Sequence, residues 1–432
     1  MRAAVLSVLL AACDATPAAV SRESAPVLEP WSDAWLDAEA TRYLDDPAFR
    51  REILEASLTN HDNLYASTRL GSYGLGDRGW DALPEWTPAA VSIDRAYVAG
   101  LVAGKPVSVD GATKIWDGTR PQSFDAWVEL GRRVFHEYPL RPEVFAEHAL
   151  RHPEVADAIG LRPDAQGRWP GVVAFRDIEG RPQIGITCSL CHVAIEGGTV
   201  VEGRARRELD YGAMRLAFHR DTGAPIPDAL ARRMATWGPG RADITQDDDE
   251  DPVAIVDLWG VRGRAFLTQA GTLKQVHPAA LAIRQETQIL HANLERTRPP
   301  RELAWALAMY VYSLEPPARE AAPENASTEH GRELFADHCA HCHRDPDYAG
   351  ALVDAKTIGT DPALAFGRAR GTGSYRPAPL LRVGDAAPYL HHGLVATLEE
   401  LLDPARTIPG HRYGTSLPAE DRFALVAFLR TL

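Results

Sequence analysis

The chain has 432 residues, room for two or three domains of ordinary size, and its 45% hydrophobic and 24% charged residues are those of a soluble globular protein. A formal net charge of −13 argues against nucleic acid as a partner while permitting a basic protein one. Only Lys105, Lys114, Lys274 and Lys356 are lysine, so nearly all positive charge is arginine.

Taken in order, the chain starts with Arg2 heading an apolar run, Ala3 to Ala12, that ends at Cys13. That is the layout of an export signal. Leu10-Ala11-Ala12-Cys13 resembles a lipobox, in which the cysteine is acylated, although the basic region is short. Residues 1–13 are therefore expected to be a lipoprotein-type signal segment, with an ordinary signal peptide as the alternative. This implies a periplasmic protein anchored through Cys13. No other run approaches the roughly 18 apolar residues of a spanning helix, so membrane contact would run through the lipid. Residues 14 to 30, rich in Ala, Pro, Ser and Glu, suit a flexible tether. From Trp31 to Ser72 the apolar spacing is helical: Trp35, Ala38, Ala40 and Tyr43 on one face, Phe49, Ile53, Leu54 and Leu58 on another. Gly79 to Pro88 is a breaker-rich loop whose Trp80 and Trp86 read as core plugs. Residues 14–120 are thus expected to form a tether and a helical extension packed on the domain C-terminal to it.

Two pentapeptides then dominate, Cys188-Ser189-Leu190-Cys191-His192 and Cys339-Ala340-His341-Cys342-His343. Cys-x-x-Cys-His is the pattern of covalent haem attachment: each thiol bonds one vinyl group of a porphyrin, and the adjacent histidine falls beneath the iron as its proximal ligand. Two covalently attached haem c groups are expected. Four thiolates could also hold zinc, making a zinc-stabilised binding module. Structural zinc pairs lie much closer in sequence, however, and need no histidine after each pair. A thioredoxin-like reading lacks its βαβ pattern. With four of the five cysteines so used, no structural disulfide remains.

Around these motifs the chain repeats itself. Gly131-Arg132-Arg133-Val134-Phe135 lies on a helical pattern from Phe124 to Tyr138, and Gly331-Arg332-Glu333-Leu334-Phe335 on one from His330. Cys339 follows Phe335 almost at once, whereas about fifty residues separate Phe135 from Cys188, an insertion. Each repeat closes with an apolar helix, Ala304–Leu314 and Phe423–Leu432. First and last helices paired beside a haem resemble the class I cytochrome c fold. The expected fold class is mostly α, with little strand: two cytochrome c-like haem domains, residues 121–318 with an insertion and residues 319–432, behind the N-terminal helical extension. Glu315 to Asn325 reads as the linker.

The second axial position sets what a haem does. The four methionines are Met1, Met214, Met234 and Met309, so the second haem has no methionine from its own domain. Ala386-Ala387-Pro388-Tyr389-Leu390-His391-His392-Gly393 resembles the Ala-Pro-Tyr-Leu-His-x-Gly stretch of the di-haem cytochrome c peroxidase superfamily and its rubber-oxygenase-like relatives. That resemblance spans residues 121–432 in organisation and is specific only at the haem motifs and here. It implies that His391 is the distal ligand of the second haem, and the extra His392 leaves the choice between them open. Laying Leu258–Thr268 against Leu381–His391 puts Thr268 where His391 stands. The first iron would then be open, or closed by Met214, Met234, His219, His277 or His291. Gln269, Arg264, Arg262 and His277 are candidate proton carriers or cations nearby, none fixed as catalytic. Asp243 and the Asp247–Asp251 run could hold calcium, as the resemblance also suggests, or form a solvated loop. The expected function is electron transfer by a di-haem c-type cytochrome, exchanging electrons with a redox partner protein or small oxidant. The alternative is a haem-dependent peroxidase or oxygenase acting at the first haem.

Overall fold

The computed structural model describes residues 28–243, 251–318 and 324–432. Cys13 and Asp247–Glu250, and with them the anchor and most of the proposed calcium run, lie outside those residues. Regular structure is mostly helical with a smaller share of strand.

The extension begins with helices Asp33–Asp45 and Pro47–Ser57. Ser32 caps the first, and Asp46 caps the second, where proline occupies the first turn and needs no amide partner. Leu36, Ala40 and Tyr43 recur at helical spacing and are buried. They join Phe49, Ile53 and Leu54 in one core with helices Pro278–Ala292 and Arg301–Ser313. A buried polar network ties the layers. Asp81 meets Arg50 at 3.0 Å and Arg301 at 2.5 Å, while Glu286 accepts from Tyr43 at 2.7 Å and Tyr73 at 2.6 Å. Desolvated charges are tolerable because each carboxylate is closed by cations or hydroxyls.

The extension is not wholly helical, and the insertion is not an irregular loop. Strands β1 (Ala89–Asp94) and β2 (Thr113–Lys114) from the extension join β3 (Arg141–Pro142), β4 (Arg168–Arg176) and β5 (Pro182–Ile186) from the insertion. The order is β2-β1-β4-β5-β3, with every pairing antiparallel. Val172, Ala174 and Ile184 face a core with Ala146 and Leu150, and Val173 and Phe175 pack on the other side with Ala90. Burial on both faces explains why β4 is an unbroken apolar run with no alternation to read. The sheet also positions a motif. Thr187, directly after β5, donates its amide to Gly171 at 3.0 Å. Gly171 has φ +94°, and a Cβ there would collide with the backbone of Leu190.

The two repeats share one helix crossing. In the first, helix Phe124–Glu137 packs on Arg301–Ser313, with Gly131 against the Ala306 carbonyl and Phe135 against Tyr310 at 5.1 Å between ring centres. In the second, helix Ala326–His338 packs on Ala419–Leu429, with Gly331 against the Ala424 carbonyl and Phe335 against Phe428 at 5.4 Å. Both aromatic pairs are inclined at 56°.

The later loops also correspond, with a register one residue away from the sequence expectation. Val261–Gly263 and Val383–Asp385 are matching 3₁₀ turns, each entered from a left-handed residue, Gly260 or Arg382. Leu267 pairs with Leu273 as Tyr389 pairs with Val395, and Thr268 and Leu390 share positive φ values of 69° and 67°. Thr268 therefore corresponds to Leu390, and Gln269, not Thr268, stands where His391 does. A few coincident leucines cannot fix register to one residue, whereas the chirality of a turn can.

Candidate functional site

The second motif opens on an apolar-walled cavity of about 250 Å³. Helix Ala326–His338, started by an Asn325–Thr328 capping box, delivers Cys339 as its C-cap. The next turn brings the Cys342 and His343 amides back to the Cys339 carbonyl at 3.1 and 3.0 Å. Cys339, Cys342 and His343 thus line one space, together with Phe335, Leu380, Leu398, Leu402, Leu425 and Leu429. Neither thiol is in a disulfide, and burial pushes Cys339 up to about 11. The His343 Nδ1 lies 2.9 Å from the Tyr348 carbonyl. A carbonyl only accepts, so Nδ1 carries the proton and Nε2 keeps its lone pair for a metal.

Buried cations sit in the same cavity. Arg264 and Arg376 both line it. Burial lowers Arg264 to about 9, with repulsion from Arg376 adding to it, and burial lowers Arg376 to about 10. Arg264 binds the Trp259 carbonyl and leaves its Nε without a partner. Arg376 donates from Nε to the Thr268 carbonyl at 3.1 Å. Two close, desolvated guanidiniums call for an anion. An apolar space lined by two thiols, an imidazole and two buried guanidiniums fits a haem with its propionates.

The two histidines left open by sequence are now distinguishable. His391 lines the cavity, stacked on Tyr375 at 4.2 Å, and burial lowers it to about 3. His392 has both nitrogens engaged, Nδ1 accepting from the Leu394 amide at 3.2 Å and Nε2 lying 3.4 Å from the Thr360 hydroxyl. A third imidazole, His411, also lines the cavity and faces His343 at 6.3 Å between ring centres. Sequence reading missed it. The available signal was elimination, since His411 is the one histidine after His392.

The first motif is a single turn, Ser189–His192, with Cys188 as its N-cap. Ser189 and Leu190 are buried and Cys188, Cys191 and His192 half-buried; burial pushes Cys188 to about 12 and Cys191 to about 11 and lowers His192 to about 4. His192 Nδ1 lies 3.0 Å from the Val256 carbonyl, the same donor arrangement as His343. Arg284 acts electrostatically on both Cys188 and His192, and on Arg69 and Arg370 behind it. Five residues are candidate ligands for the first iron. His277 pairs with Glu39 at 3.2 Å, His291 with Glu295 at 3.1 Å, and His219 with the Ala224 carbonyl at 3.1 Å. Met214 and Met234 are fully enclosed side chains. Of the proposed catalytic neighbours, Gln269 and Arg264 line the cavity beside the second motif, while Arg262 lies over the Trp31 ring.

Among the described residues no group of three or more His, Cys, Asp or Glu side chains converges as a metal cluster. The two cysteine pairs do not meet in a shared four-thiolate site, so the zinc alternative has no donor set there.

No family model matches the chain, and no curated protein matches it. Solved structures similar to it include hydrazine synthase of Kuenenia stuttgartiensis pressurised with 20 bar xenon, at 18% identity over 47% of this chain and 79% of that one, with a TM-score of 0.32. A MauG-like protein associated with microbial copper homeostasis is similar at 18% identity over 45% of this chain and 79% of that one, with a TM-score of 0.29.

Proposed function

We propose that this chain is a di-haem c-type cytochrome that transfers electrons between a redox partner protein or small oxidant and its own two haems. One connection carries the proposal. The Val256 carbonyl holds the His192 imidazole at 3.0 Å, and Val256 also lines the cavity into which His343 projects. A single residue thus holds one imidazole and lines the cavity that the other also lines. Bound haem would supply a reversible one-electron change at iron. The chain's part is to orient each imidazole through its Nδ1 proton, exclude water with apolar walls, and offset the propionates with Arg264 and Arg376.

Export and anchoring through Cys13 belong to the same proposal, since haem attachment of this type takes place outside the bacterial cytoplasm. Among the described residues no helix is long and apolar enough to cross a membrane.

The test is a haem count by alkaline pyridine spectroscopy on protein matured in a periplasm competent for haem attachment. Two covalent haems per chain are expected. Cys188→Ala with Cys191→Ala, or Cys339→Ala with Cys342→Ala, should each leave one. A wild-type count of zero, or zinc in its place, would overturn the proposal. Carbon monoxide added to the reduced protein addresses the peroxidase or oxygenase alternative, which requires a haem that takes an exogenous ligand.

A further inference from the structure

We propose that His411, and not His391, is the distal axial ligand of the second haem; the inference rests on the di-haem reading of the chain. The geometry comes first. A metal–imidazole bond of about 2 Å on each side of one iron places the centres of the two rings about 6 Å apart. The rings of His343 and His411 are 6.3 Å apart, inclined at 67°. His391 instead stacks on Tyr375 at 4.2 Å and adjoins His392 at 4.7 Å, and among the described residues no ring contact joins it to His343.

The loop carrying His411 is built to hold that ring. Arg406, itself buried, donates to the carbonyls of Ile408 at 2.6 Å, Gly410 at 2.7 Å and His411 at 3.1 Å. The His411 amide is anchored to the Ile358 carbonyl at 2.9 Å. Gly410, at φ +86°, lies so close to the backbone of Thr360 that no Cβ fits. His411 is itself left-handed at φ 46°, a conformation a histidine adopts at a cost that the surrounding structure must maintain. Tyr413 then wedges edge-on against the His411 ring at 5.4 Å, fixing its plane. After all this fastening, the His411 Nδ1 is buried and without a hydrogen-bond partner. Burying an imidazole nitrogen with no partner costs free energy, a cost that coordination of iron through that nitrogen would remove.

Imidazole on both sides gives a six-coordinate, low-spin iron at lower potential than methionine ligation would. The second haem is then a closed relay with no position for dioxygen, peroxide or carbon monoxide.

The test uses the haem-loaded full chain. His411→Ala should retain two covalent haems by the pyridine count while converting one from low-spin to high-spin, and that haem should acquire carbon monoxide binding. His411→Met should keep it low-spin, introduce thioether ligation and raise its midpoint potential. His391→Ala should leave the spin state of both haems unchanged. In the wild type, near-infrared magnetic circular dichroism should report imidazole–imidazole ligation for this haem, which covers the case in which His411→Ala does not fold. Two low-spin haems in His411→Ala, or a high-spin haem created by His391→Ala, would overturn the assignment. A second motif carrying no covalent haem would overturn the di-haem reading itself, and would be seen separately in the count.

Discussion

At the scale of single residues, Glu202 shows how much one side chain can join. It ends the short strand Thr199–Glu202 that lies just after the first motif. Its carboxylate meets Arg132 at 2.9 Å and His136 at 3.2 Å on one helix of the first crossing, and Tyr310 at 2.6 Å on the other. Burial works to raise its pKa, but the hydrogen bonds from His136, Tyr310 and Arg132 outweigh it and hold the group at about 2. A depressed carboxylate contributes stability that is complete above its unfolded pKa of about 4.3 and is lost as pH falls through the folded value. Glu202→Gln should therefore destabilise the protein at pH 7 by about 1 kcal/mol, since partial exposure screens the interaction. It should also flatten the stability profile between about pH 4.3 and pH 2. Urea titrations across that window check this, and parallel profiles for variant and wild type would refute it. The two Cys-x-x-Cys-His motifs were legible because their pattern is local: five consecutive letters specify thiols and imidazole. His411 was not, because its meaning lies in a ring placed opposite His343 by a loop that Arg406 holds. Nothing next to it in sequence says so.

At the scale of elements, the two helix crossings were the most readable part of the fold. Glycine and phenylalanine at a spacing of four mark one helix face, and the same pair occurs before both motifs. What sequence could not show is why the glycine is required. At Gly131 a Cβ would fall onto the Ala306 carbonyl and crowd Tyr310, and at Gly331 onto the Ala424 carbonyl and crowd Phe428. Alanine is normally the better helix former by about 1 kcal/mol, so the sign of the substitution separates packing from propensity. Gly131→Ala and Gly331→Ala should each destabilise by about 1–3 kcal/mol through overpacking. Thermal unfolding measures this, and a stabilised variant would show that the helices can move apart freely. The five-stranded sheet was illegible for the opposite reason. Its central pairing joins Val91 to Ala174 and Ser92 to Val173, and contacts that distant leave no periodicity within either segment. Apolar residues on both faces of β4 removed the alternation that would have marked it as a strand.

At the scale of the whole molecule, the cavity beside the second motif is the common property of both halves. The helices and loop of residues 324–432 supply Cys339, Cys342, His343 and His411. Arg207, Ala254, Val256, Trp259, Arg264 and Gln269 of the preceding half close it. The closure is hydrogen-bonded as well as apolar: Ala254 donates its amide to the His391 carbonyl at 2.9 Å, and Arg207 reaches the Ala386 carbonyl at 3.3 Å. Arg376 in turn spends its Nε on Thr268. Removing the first half would expose the apolar wall to water and strip these partners together, leaving polar groups of the loop 376–391 to be resolvated individually. A fragment of residues 324–432 should consequently lack a cooperative unfolding transition, although it contains a complete Cys-x-x-Cys-His motif and its own helix crossing. Near-ultraviolet circular dichroism during denaturant titration distinguishes the outcomes. A fragment as cooperative as the full chain would mean that the 254–269 segment, Val256 included, merely leans on a finished domain.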